Sequence, residues 1–110
     1  MNVTRMPLSR ERLTDIIREI GKDSERWPVA ISYEKWQLWR HIVNRRQIEL
    51  CLLEGWILQD KVTPDENGYW CFEVARVCSG LNVVIEVALE PDRANRKLIV
   101  TGISGDRIDV

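Results

Sequence analysis

"NRRQIELCLLEGWIL", residues 44–58, decides the fold, because a helix start, a helix, a helix stop and a strand start follow one another within it. Asn44 can accept hydrogen bonds from the first helical turn, and Gln47, three residues on, can reach back to it, the reciprocal arrangement of a capping box. Val43 and Ile48 stand at the spacing of a hydrophobic staple across that start. Ile48, Cys51 and Leu52 fall on one helical face, which Leu50 and Leu53 widen. Gly55 ends the helix, and "WIL" after it changes the period from helix to strand. A helix that restarts at Asn44 meets whatever precedes it at a corner.

What precedes it reads as two more helices. In "PLSRERLTDIIREIG" Ser9 is a suitable N-cap, Leu8 and Leu13 have staple spacing, and Leu13, Ile16, Ile17 and Ile20 follow the i, i+3, i+4, i+7 pattern of one apolar stripe. Gly21 is expected to stop this helix by adopting the left-handed conformation after its end. "KDSERWPVA" reads as a connector, since Pro28 disfavours helix at Trp27. "SYEKWQLWRHIV" reads as a second helix capped by Ser32, with Trp36, Trp39 and Val43 near one face.

After Gly55 the chain alternates with period two. "WILQDKV", "YWCFEVARV", "NVVIEVAL" and "RKLIVTGI" are expected strands, separated by "TPDENG", "CSGL" and "EPDRAN", whose Pro, Asn, Asp and Gly suit turns. Trp70, Phe72 and Val74 share one side of their strand and Tyr69, Cys71, Glu73 and Ala75 the other. Val83, Ile85, Val87 and Leu89 share a face of the next. Short polar turns between four strands predict an antiparallel meander with helices on one side, an α+β class. The expected layout is a single domain over residues 1–110, with helices over about 9–54, a sheet over about 56–103 and a loose tail over 104–110.

Composition narrows the function classes. The 110 residues are 45% hydrophobic and 30% charged, a globular balance, with a net charge of -1 that provides no general pull toward nucleic acid. The charge is uneven: residues 1–50 hold ten Lys/Arg against seven Asp/Glu, and residues 51–110 six against ten. No apolar run reaches the roughly 20 residues that span a bilayer, and "MNVTRMPLSRERL" lacks the apolar core of a signal peptide, so a cytoplasmic protein is expected. Cys51, Cys71 and Cys78 have no paired spacing and fit reduced thiols. With no CxxC and His41 the one histidine, neither a zinc site nor another cofactor is expected.

Between residues 32 and 103 the succession of helix, corner, "NRRQIELCLLEGWIL", "ENGYWCFEV", "NVVIEVAL" and "KLIVTGI" resembles the bacterial domain of unknown function 4258 family. The strongest matches are "RQIELCLLEG" and "GYWCFEV". The resemblance implies a fold distantly like the RelE and barnase-type ribonuclease toxins, with helices ahead of a four-stranded antiparallel sheet. The family's polar signature departs here: its His falls on Tyr33 and its two Arg on Gln37 and His41, while the apolar and capping positions agree at Leu38, Val43 and Asn44. An acid–base site in that helix would be lost or rebuilt in this chain.

The candidate chemistry gathers around that corner. His41 is the side chain whose ordinary pKa lies near neutrality, with Arg40 beside it. Arg45 and Arg46 occupy the first turn of a helix, where free backbone N–H groups also attract anions, although cations there oppose the macrodipole by a few tenths of a kcal/mol each. His41 and Arg40 are the candidate catalytic pair, and Arg45, Arg46, Trp36 and Trp39 the candidate anion or RNA contacts, the tryptophans as stacking platforms. The bland alternative makes the cations solvent-facing and the tryptophans core or interface. Glu73 and Glu86, at strand centres, read as exposed-face residues. Two functions follow and leave catalysis open. One is a toxin-like, RNA-interacting domain or metal-independent ribonuclease, with RNA or an antitoxin as partner. The other is a non-catalytic interaction module, a homodimer or partner binder using tryptophans and the sheet.

Overall fold

A computed structural model describes residues 6–32, 34, 37, 43–78 and 80–107. In chain order these form β1 (Leu8–Ser9), α1 (Arg10–Gly21), a short 3-10 turn (Ser24–Arg26), α2 (Arg45–Glu54), β2 (Trp56–Ile57), β3 (Lys61–Val62), β4 (Trp70–Cys78), β5 (Leu81–Leu89) and β6 (Leu98–Arg107). The protein is α+β, with an antiparallel sheet in the order β2-β4-β5-β6 and a small β1-β3 ladder. The helix expected over residues 32–43 lies outside the described residues apart from Ser32, Glu34, Gln37 and Val43. Glu34 and Gln37 have helical backbone, and Val43 is buried.

Both described helices start as their caps dictate. The Ser9 hydroxyl accepts from the Arg12 amide at 3.2 Å. Asn44 is extended (φ -112, ψ 176), so no helix runs through it. Its side chain accepts from the Gln47 amide at 2.9 Å, and the Gln47 side-chain oxygen accepts from the Asn44 amide at 2.7 Å. The apolar stripes, Leu13, Ile16, Ile17 and Ile20 on α1 and Ile48, Cys51 and Leu52 on α2, are all buried. Each fully buried aliphatic side chain contributes about 1.5–3 kcal/mol to holding its helix down. Arg18 ties the two together, its guanidinium donating to the carbonyls of Leu52 at 2.8 Å and Gly55 at 2.7 Å, at the C-terminal end of α2, where carbonyls lack intrahelical partners.

Gly21 does not take the left-handed conformation expected of it: it is the last residue of α1, with Lys22 as the C-cap, and Gly55, the C-cap of α2, has no positive φ either. A Cβ on Gly21 would stand 2.9 Å from the Leu52 Cβ, where the helices cross. A Cβ on Gly55 would stand 2.3 Å from the Cys51 carbonyl oxygen and 2.7 Å from a Val74 methyl. Both glycines allow close approach. Conformational freedom matters instead at Gly80, φ +79, in the two-residue turn between Cys78 and Leu81.

The strands depart from expectation at three places. "WILQDKV" is not one strand: Trp56 and Ile57 pair with Ala75 and Val74, while Lys61 and Val62 turn away to Ser9 and Leu8. Arg10 fixes the break, donating to the carbonyls of Gln59 and Leu58 and pairing with Asp60 at 2.8 Å. The expected tail is also corrected. Residues 104–107 continue β6 and pair with residues 81–84, because the backbone groups at the start of β5 need partners. A bulge opposite Glu86 and Val87 accommodates Thr101. Finally, the connector joins the sheet: the Val100 amide donates to Pro28 and the Ala30 amide to Val100, making a parallel bridge along the edge of β6.

The core is one cluster between the helices and the inward rows Phe72, Val74; Val83, Ile85, Val87, Leu89; and Leu98, Val100, Ile103. No helix among the described residues is long and apolar enough to cross a membrane.

Candidate interaction surface

Of the six expected site residues, Arg45 and Arg46 are described, and they point apart. Arg45 turns back toward the connector: its guanidinium lies 4.1 Å from the centroid of the Trp27 ring and donates to the Ser24 carbonyl at 3.2 Å. Trp27 is 1% exposed, so this cation covers the outer face of a core tryptophan. Arg46 points elsewhere and pairs with Glu49 one turn along α2. The misfit of two cations at a helix start is thus offset by local contacts of each. Arg40, His41, Trp36 and Trp39 lie outside the described residues.

A different arginine group does face one groove. Arg12, Arg26 and Arg96 line a depression of about 330 Å³ together with Asp15, Ile16, Glu19 and Ile20. Arg26 donates twice to the Arg96 carbonyl, at 3.2 and 3.1 Å, which brings the 3-10 turn against the β5–β6 loop. Arg96 itself is buried, 3.7 Å from Asp92. Burial pushes its guanidinium below the ordinary arginine range; Asp92 opposes this, and Arg12 and Arg26 add to it. Arg12 and Arg26 form no ion pair among the described residues. Sequence spacing gave no hint of this group, because its members are brought together only by the packing of three separate segments.

The two described helices pack on one side of the sheet, and its other face carries exposed apolar residues. Trp56 is 61% exposed there, beside Ala75, and Val77 is 60% exposed two residues further along β4. Trp56 does not float: the Arg10 guanidinium stacks 4.5 Å from its ring centroid, held in turn by Asp60 and two carbonyls. At the middle of the face Glu73 and Glu86 are directly opposed across β4 and β5, and Gly102 completes the row. Gln59 positions Glu73, donating to its carboxylate at 3.2 Å while accepting from its amide at 2.9 Å. The Glu86 carboxylate leans over Gly102, within 2.5 Å of where a Cβ would stand. Gln59, Glu73 and Glu86 border a shallow trough of about 320 Å³ that Cys71, Ala88 and Thr101 also line. Burial, and secondarily Asp65, raise the Cys71 thiol pKa.

Comparison with known protein families, with characterised proteins and with solved structures returned no match. Among the described residues no group of three or more His, Cys, Asp or Glu is placed to hold a metal ion.

Proposed function

We propose that this domain is a non-catalytic protein-interaction module whose docking surface is the open face of its antiparallel sheet. The observation that carries the reading is Trp56, a large aromatic left 61% exposed yet braced by Arg10. Binding surfaces concentrate their energy in aromatic anchors, and an anchor already fixed in position loses less conformational freedom on binding. Val77, Ala75 and the half-buried Val84 extend the apolar area around it. The cytoplasm, where unpaired thiols persist reduced, is the compartment this reading assigns.

A photoreactive amino acid at Val77 tests it in cells. A discrete cross-linked protein adduct is expected, lost when Trp56 is also changed to Ala and missing when the photoreactive group sits at Arg46. An absence of adduct at Val77, or equal adducts at both positions, refutes the reading.

The toxin-like, RNA-interacting reading implied by the resemblance to the domain of unknown function 4258 family stands second. The groove of Arg12, Arg26 and Arg96 favours it, since Arg12 and Arg26, which have no ion-pair partner among the described residues, suit phosphate oxygens. Salt-sensitive RNA binding, weakened in Arg12→Ala/Arg26→Ala, is its expected result; binding unchanged in that variant removes it.

A further inference from the structure

We infer that the partner presents a basic side chain, set between apolar ones, to the opposed Glu73 and Glu86. This rests on the open sheet face being the docking surface, and adds the chemistry of what docks there.

The charge pattern carries the inference. Glu73 and Glu86 are register partners, so their Cβ atoms are separated by about 4.5–5.5 Å, and like charges so placed oppose one another. Neither forms an ion pair among the described residues. Arg10, whose guanidinium lies over Trp56 on this face, is already paired with Asp60. The rows flanking the pair are uncharged, Cys71 and Ala88 on one side and Ala75 and Val84 on the other. The face is thus an acidic spot within an apolar surround. Gln59 fastens one carboxylate and the missing side chain at Gly102 gives the other its place, so the two are set before a partner arrives. A second copy docked face to face would oppose four carboxylates without a cation, whereas a Lys or Arg between two apolar side chains would neutralise the pair as the flanking rows are covered.

Titration of the full chain with short alternating lysine–valine, serine–valine and glutamate–valine peptides, followed by amide and indole NMR shifts, tests this. The lysine–valine peptide is expected to shift Glu73, Glu86 and the Trp56 indole, more weakly as salt rises. In Glu73→Gln/Glu86→Gln its affinity is expected to drop about tenfold, as for loss of a paired, partly screened charge contact. The unliganded double variant is expected to melt no lower than the parent, since its repulsion is relieved. If serine–valine binds the face as tightly as lysine–valine, the basic requirement falls and the docking surface stands. If lysine–valine shifts other regions or nothing, both fall. If the double variant melts well below the parent, the carboxylates serve the fold and the inference fails.

Discussion

Replacing Arg45 by Ala separates a structural arginine from a functional one, and the contrast with Arg46→Ala makes it quantitative. Arg45 gives up two contacts. Its guanidinium covers the ring of buried Trp27 at 4.1 Å, an arrangement worth about 0.5–2 kcal/mol depending on desolvation. Its hydrogen bond to the Ser24 carbonyl at 3.2 Å is longer than ideal and in an exposed setting, so it adds about 0.5 kcal/mol. Relief of the unfavourable cation–dipole interaction returns a few tenths. The net expectation is a loss of about 1–2 kcal/mol, a fall in Tm of about 4–8 °C for a domain this size. Arg46 has an exposed i,i+3 pair with Glu49, so its removal is expected to cost less than about 0.5 kcal/mol. Urea unfolding followed by tryptophan fluorescence, with Arg45→Lys as a third variant, measures all three. Lys cannot reproduce the planar stack and is expected to fall between the parent and Ala. Equal stability of Arg45→Ala and Arg46→Ala would refute the claim that Arg45 is committed to the fold.

Gly55→Ala is expected to cost about 3 kcal/mol or more, since the added methyl meets backbone and Val74 at distances that side-chain adjustment cannot relieve; thermal melting reads it, and a cost below about 1 kcal/mol would refute the close-approach account. Arg18→Met should destabilise by about 2 kcal/mol because two carbonyls near the end of α2 lose a charged donor, and chemical denaturation checks it. Alkylation of Cys71 should be slow at neutral pH despite its exposure and keep rising at pH values where an ordinary thiol has levelled off, because its raised pKa keeps the thiolate scarce. Asp65→Asn should lower that pKa and speed the neutral-pH reaction, while its side-chain oxygen still accepts from the amides of Asn67 and Tyr69; an unchanged pH–rate profile would refute the influence of Asp65.

The candidate site was less legible than the fold, for a physical reason. Asn44 and Gln47 show their cap in sequence because its partners are three residues apart. The Glu73–Glu86 opposition was half visible: alternation puts each on the outer face, but which residue stands across from it depends on the register set by the turn at Gly80. Arg45 and Trp27 are eighteen positions apart in chain, and the stack needs α2 to lie against the connector. Arg12, Arg26 and Arg96 belong to a helix, a 3-10 turn and a hairpin loop, so no local pattern joins them.

By itself the sequence determined the helix caps, the inward stripes of α1 and α2, the alternating faces of β4 and β5 and hence the α+β class, since each depends on residues within a few positions of one another. Tertiary structure decided where "WILQDKV" breaks, that β6 runs on to Arg107, that Gly21 and Gly55 are needed for space, and which charges share a surface. Those outcomes turn on contacts between distant segments, whose energies depend on distances that periodicity does not encode.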